Sequence, residues 1–475
     1  MIFHSLDFVL FFLVVLTAYW RLPHRAQNRL LLVASYVFYG WVHPWFLGLI
    51  LFSTTVDYWA ARWMEDDPAR RKVYLGASLA ANLGMLGYFK YANFFADSIA
   101  TILEAAGLPA SRVTLDVTLP VGISFFTFQA LSYTVDVYRG QLRARRSFVD
   151  VATFVALFPQ LVAGPIERAS ALLPQVEGER RFSADAARTG ALLIAWGYFK
   201  KLVIADNVGL IADKVFAVEA PGFHVLWAGV LAFGIQIFAD FSAYSDIARG
   251  VARWFGFELM VNFDNPYFAR SPQEFWRRWH ISLSTWFRDY VYIPLGGSRR
   301  GLPRELANVM MVFLLSGLWH GANWTFVLWG GYHGLLLVGQ RLFRRFVPVR
   351  APAWLAPLQI AGMFVLVQVG WLMFREQDVR MLLRGLTLTP AGASPIDVQA
   401  GLALALLTGL YALPLVVQGI WSEWLAGPRL LEPPRARTPV RVAWLAGQGL
   451  LAGLLFAGIL VFRSRASMDF IYFQF

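Results

Sequence analysis

Two histidines stand where an ionisable side chain is costly. His320 sits within Ser316-Gly317-Leu318-Trp319-His320-Gly321-Ala322-Asn323-Trp324, directly after a run, Leu306 to Leu315, whose only polar residue is Asn308. If that run crosses a membrane, His320 lies at membrane depth, and an ionisable group there marks a functional site by default. The bland alternative is a neutral imidazole hydrogen-bonded inside a helix bundle. A second histidine, His280, lies 40 residues upstream in Phe275-Trp276-Arg277-Arg278-Trp279-His280-Ile281-Ser282-Leu283-Ser284-Thr285-Trp286-Phe287-Arg288-Asp289-Tyr290, and a short basic loop joins the two regions. Taken alone, His280 reads equally as an interfacial histidine whose ring reaches for water. Two imidazoles together suit proton transfer near neutral pH without a permanent buried charge.

Other polar groups compete for the same role. Gln236, Asp240 and Tyr244 recur at i, i+4 and i+8 and share one helix face. Asp240 could orient an imidazole or bind a polar substrate, or it could be a hydrogen-bond node between helices. Asp246 has Arg249 three residues on and suits an ion pair. Asp136, Glu167, Asp206 and Asn262-Phe263-Asp264-Asn265-Pro266 read as capping and loop groups. The chain has no cysteine, which removes disulfides, thiolate ligands and cysteine nucleophiles together. No phosphate-binding glycine loop, dinucleotide fingerprint, HExxH or GxSxG pattern is present. The predicted site holds no metal and no resident cofactor.

The elements that must position these residues are membrane helices. The 475 residues are 57% hydrophobic and 15% charged, with mean hydropathy +0.51, against about a quarter charged in soluble domains. The net charge of +12 lies in short loops between apolar runs, the pattern of the positive-inside rule rather than of a nucleic-acid surface. Arg21, Arg25 and Arg29 follow the first apolar run, Leu6 to Trp20, so the N-terminus is expected outside. Arg463 and Arg465 place the C-terminus inside, which requires an odd number of crossings, about eleven. Leu30 to Val42, Phe46 to Ala61, Leu119 to Tyr138, Ala186 to Ala205, Phe223 to Ala248, Leu306 to Trp319, Ala322 to Val338, Leu355 to Phe374, Ala400 to Ile420 and Val442 to Phe462 are the apolar segments. Val73 to Ala106, interrupted by Gly84, Gly87 and Lys90, reads as a span plus an interfacial piece. Val149 to Val162 reads as a short or re-entrant segment ending in helix-breaking Pro159 to Pro165. The fold class is all-α, a polytopic membrane protein with one integral-membrane domain over residues 1–475.

His280 is predicted on a different kind of helix. Ser271-Pro272-Gln273-Glu274 is a capping box with proline at the first helical position. From there Phe275, Trp279, Leu283, Trp286 and Tyr290 form an aromatic stripe, with Arg277, Arg278, Ser284 and Arg288 largely off it. Such a helix is expected to lie at the membrane surface or to wedge into the bundle from the cytoplasmic side. The helix from Leu306 rises about 1.5 Å per residue and lifts His320 roughly 20 Å into a core about 30 Å thick. On that geometry the two histidines need not touch.

Several longer blocks carry a resemblance. They are Leu119-Pro120-Val121-Gly122-Ile123-Ser124-Phe125-Phe126-Thr127-Phe128-Gln129, Pro159 to Pro165, Phe275 to Tyr290 continuing to Tyr292-Ile293-Pro294-Leu295-Gly296-Gly297, Gly317 to Asn323, and the terminal Phe470 to Phe475. Together they make the chain similar to the membrane-bound O-acyltransferase family, in particular its bacterial polysaccharide O-acetylases. The resemblance implies transfer of an acetyl group from a cytoplasmic thioester, acetyl-CoA, for O-acetylation of an exported, alginate-like polysaccharide, directly or through a periplasmic SGNH-type partner. It also implies an inner-membrane location. D-alanyl transfer to teichoic acid is the alternative within the family, and transport of a lipid-linked saccharide the alternative outside it. By this resemblance His320 matches the family's catalytic histidine and His280 its second active-site position. Trp319, Asn323, Trp276, Arg277, Arg278, Arg288, Asp240 and Tyr244 are candidate substrate-binding residues, the three arginines for the phosphates of coenzyme A.

Overall fold

The computed structural model describes residues 1–110, 114–115, 117–347, 352–426, 438–464, 468 and 470–471. Most of the basic, proline-rich loop from Pro428 and all of residues 472–475 of the terminal block lie outside these. Among the described residues every regular element is helical. The helices group into two compact units, one of residues 1–187, 251–260 and 321–323, the other of residues 188–250, 261–320 and 324–475.

The first unit is built on the helices Phe46–Asp66, Arg71–Leu86 and Ile123–Tyr138. Their shared face is polar. The carboxylate of Asp57 accepts from both the Asn82 amide, at 3.0 and 3.1 Å, and the Ser78 hydroxyl. The interruption expected between Val73 and Ala106 is a π-helical turn, Gly87–Tyr91, between two α-helices. The segment from Val149 is a helix of nine residues, Phe148–Ala156, followed by a buried irregular stretch. There the Gly164 Cα lies so close to Gln160 that a Cβ would meet its Cα at 2.4 Å, so no larger residue fits this turn.

The second unit is built around residues 223–250 of the 32-residue helix Phe223–Trp254. Four helical stretches are long and apolar enough to cross a membrane by length and composition: Phe223–Trp254, Ala353–Arg375, Pro395–Leu425 and Arg441–Phe462. Protein covers 83% of the first one's apolar window but only 6% of the last one's, so the first is the core and the last faces outward. A π-helical turn, Lys200–Ala205, lies inside the predicted apolar segment Ala186 to Ala205. There two consecutive lysines reach the helix Phe223–Trp254, Lys200 Nζ lying 2.8 Å from Asp246 and Lys201 Nζ 2.9 Å from Asp240, with Asp206 3.0 Å from Lys201 as well. Asp206, expected as a span-end cap, is instead a buried member of this ion cluster.

The runs around His320 form a tight helical hairpin, Leu302–His320 against Trp324–Phe346. Gly317 and Gly330 face each other at the crossing: a Cβ on either would come within 2.2 Å of a backbone carbonyl of the other helix. Small residues are what permit such an approach between apolar helices.

Candidate active site

The continuous amphipathic helix predicted from Pro272 through Tyr290 is broken at His280. Ser271 caps the start as expected, its hydroxyl accepting from Glu274 N–H at 3.3 Å, while Glu274 accepts from Arg270 N–H at 2.9 Å. The helix ends at Arg278, Trp279 is extended, and His280 is left-handed at φ 42° and ψ 55° before a second helix, Ile281–Phe287, begins. Asparagine, aspartate and histidine are the side-chain-bearing residues most often found in that backbone region. His280 is itself the N-cap of the second helix: its Nδ1 accepts from Leu283 N–H at 3.3 Å.

That bond favours one tautomer of the ring. With Nδ1 accepting, a neutral imidazole carries its hydrogen on Nε2 and is a donor there. The two short helices lie outside the membrane-spanning segments, and burial pushes the His280 imidazole down to about 3, so it is neutral over the physiological range. The reading as an interfacial histidine reaching for water is corrected: His280 has no exposed surface, as in a helix wedged into the bundle. It is also not remote from His320. The ring centroids lie 6.4 Å apart at 75°.

His320 ends its helix inside a box of aromatic rings. Trp319 and Trp329 stand edge-on to it at 5.0 Å and Phe374 at 5.3 Å. Around His280, Phe241 lies at 4.7 Å, Trp319 at 6.0 Å and Phe263 at 6.4 Å. Trp319 thus touches both imidazoles. A third buried histidine, His333, packs on Trp329 at 5.0 Å and on Trp276 at 5.1 Å. Trp276 reaches the His320 helix at Phe313, 5.0 Å away, and so supports the box rather than lining it against His320.

The remaining candidates divide. Arg277 is exposed. Arg278 is spent on two carboxylates, Glu274 at 2.8 Å and Glu423, and no longer offers a free cation for a phosphate. Arg288 is exposed and pairs with its neighbour Asp289 at 2.7 Å. Asp240 pairs with Lys201 and accepts from Ile471 N–H, as a node between helices does. Tyr244 packs on Phe470 at 5.0 Å. The Asp246 to Arg249 pair forms at 3.4 Å, with Lys200 added. Asn323 is half-buried in the turn after His320 and belongs to the first unit. Among the described residues no three His, Asp or Glu side chains gather as they would around a metal ion.

Phe241, Trp329, His333 and Phe374 are the site residues that sequence patterns leave undistinguished, since all four sit within long apolar helices. Known proteins supply the chemistry of the whole. A family model described as MBOAT, membrane-bound O-acyltransferase family, matches residues 123–374, which include both histidines. The chain is 40% identical, over an alignment of 501 positions that covers all of both chains, to a Pseudomonas putida protein named "Probable alginate O-acetylase AlgI". It is 34% identical to a peptidoglycan O-acetyltransferase of Helicobacter pylori, over 81% of this chain and 79% of that one. It is 30% identical to a teichoic acid D-alanyltransferase of Streptococcus thermophilus, over 46% and 56%. With more than half of its length matched by the family and a relative aligned from end to end, the chain belongs to the membrane-bound O-acyltransferase family and is an O-acyltransferase of the membrane.

Proposed function

We propose that the protein is a multi-pass enzyme of the bacterial inner membrane that takes an acetyl group from acetyl-CoA on the cytoplasmic side for O-acetylation of an exported polysaccharide, directly or through a periplasmic SGNH-type partner. The full-length likeness to a protein named as an alginate O-acetylase supports the acetyl group and the saccharide acceptor. The paired imidazoles support a division of labour. His320 is the base: it takes the proton of the acceptor hydroxyl as the oxygen attacks the thioester carbonyl. His280, held as the Nε2–H tautomer by its bond to Leu283, donates to the oxyanion that develops. The carbon–sulfur bond then breaks, and the imidazolium of His320 returns its proton to the departing thiolate. The observation that carries this reading is a neutral, oriented donor 6.4 Å from a second imidazole in an aromatic, water-poor box.

The test is transfer from radiolabelled acetyl-CoA in reconstituted membranes. His320→Gln, which cannot act as a base, should lower turnover by about 10²–10⁴. His280→Gln keeps a donor but loses its geometry and should retain measurable turnover, within about a hundredfold of wild type. An inactive His280→Gln beside an active His320→Gln would reverse the roles. Transfer only from a D-alanyl carrier protein would replace the acetyl reading with the D-alanyl one.

A further inference from the structure

The left-handed turn that presents His280 is held by one of the residues that the sequence reads as capping and loop groups. Asn262 is buried, in the non-helical stretch between Phe257 and Pro266. Its backbone carbonyl accepts from Ile281 N–H at 2.9 Å. Its side-chain oxygen accepts from Ser282 N–H at 3.2 Å and from the Ser282 hydroxyl at 2.9 Å. Its amide nitrogen donates to the Ser245 hydroxyl, at 3.3 Å, on the central helix. Two residues on, Asp264 N–H donates to the Arg278 carbonyl at 2.9 Å, on the other side of the turn. The stretch from Asn262 to Asp264 therefore bonds the chain immediately before and immediately after Trp279 and His280.

A non-glycine residue in the left-handed region persists only where its surroundings over-determine it. Here the over-determination has an identifiable source. Ile281 and Ser282 are first-turn residues of the helix that follows His280, and first-turn N–H groups have no partner within their own helix. Leu283 N–H is taken by the His280 ring, and the two before it by Asn262. A single side chain and its own carbonyl thus complete the cap that fixes both the backbone and the tautomer of His280.

We infer that Asn262 is a positioning residue for acyl transfer, acting through His280 by fixing the turn that aims its Nε2–H toward the His320 box. The inference rests on the proposed part of His280 in the reaction. Asn262→Leu keeps the volume and removes the side-chain bonds; it lowers kcat by about 10–100-fold, the scale of a displaced catalytic group, and leaves the KM for acetyl-CoA within about threefold. A residue that merely stabilises the fold would do the same damage in any background, whereas a residue acting through His280 would not.

The experiment is a double-mutant cycle in reconstituted membranes, with membrane-inserted protein quantified for each variant. In the His280→Gln background Asn262→Leu should cost less than about threefold further in kcat. If it again costs its full factor there, Asn262 acts independently of His280 and the inference falls. If His280→Gln alone turns over like wild type, the part assigned to His280 falls instead. Should Asn262→Leu fail to insert, Ser282→Ala, which removes only the hydroxyl bond, carries the same cycle: a loss in the wild-type background that vanishes beside His280→Gln supports the inference, and an equal loss in both overturns it.

Discussion

Placing one methyl group on Gly317 tests whether the hairpin geometry sets the position of His320. In the structure a Cβ at Gly317 would lie 2.2 Å from the Phe326 carbonyl oxygen and 3.3 Å from Gly330 Cα. Cβ atoms do not approach other heavy atoms closer than 3.0 Å, and the obstacle is backbone, so Gly317→Ala must drive the two helices apart by at least 0.8 Å at the crossing. His320 follows three residues later in the same helix, within one turn of the pivot. A displacement near 1 Å at a catalytic group costs about 10²-fold in rate. Overpacking adds about 1–3 kcal/mol of destabilisation. Gly331→Ala is the control, since its Cβ would meet only Leu314 Cδ2 at 3.7 Å, an ordinary contact. The assay is acetyl transfer per membrane-inserted molecule, with thermal unfolding measured in parallel. Gly317→Ala at wild-type turnover would refute the idea that close contact of the two helices places the base.

Two further outcomes follow from the buried charges and rings. Because burial holds His280 neutral down to about 3 in the folded protein, against about 6.5 when unfolded, the unfolded state binds a proton over that interval that the folded state refuses. Stability therefore falls as pH drops below about 6.5. Tm should be lower at pH 5 than at pH 7.5, and His280→Gln, which has no proton to gain, should reduce that difference; an undiminished difference would contradict the assignment. Lys201→Met leaves Asp206 and Asp240 without their shared cation in a buried site. It should destabilise by about 3–5 kcal/mol, read as loss of folded protein from the membrane fraction, and Lys201→Met with Asp240→Asn should be milder than Lys201→Met alone.

The helices of the second unit were legible because apolar runs of spanning length leave little choice of structure. Leu306 to Trp319, Ala322 to Val338 and Leu355 to Phe374 all fall on observed helices. The capping box at Ser271 was equally readable, since its residue types satisfy backbone donors locally. What hid was the break at His280. The aromatic stripe from Phe275 to Tyr290 continues through it without glycine or proline, and the bonds that enforce it come from Asn262, 18 residues away in sequence. Long-range partners leave no local periodicity. The same holds for Lys200 and Lys201, whose carboxylate partners lie on another helix. For that reason one face of one helix left two readings open for Asp240, and its pair with Lys201 makes it the node between helices.

On the proposed mechanism the central helix keeps charge and catalysis apart in so apolar a protein. Successive residues on a helix point about 100° apart, so neighbours in sequence can serve different environments. Asp240 turns toward Lys201 and the chain near Ile471, while Phe241, the next residue, lays its ring against His280 at 4.7 Å. One turn later Ser245 receives the amide of Asn262, the residue that caps the His280 helix. The ion cluster thus lies on one side of the helix, and the imidazoles meet phenyl and indole rings on another. In surroundings of such low polarity a neutral donor gains strength toward a developing oxyanion, because no water competes for it. A permanent cation at the position of His280 would instead require a paired anion, and the pair would spend on each other the field that the transition state needs. A neutral histidine, forced into a left-handed turn so that one ring nitrogen is occupied and the other is a donor, meets that requirement with no net charge in the box.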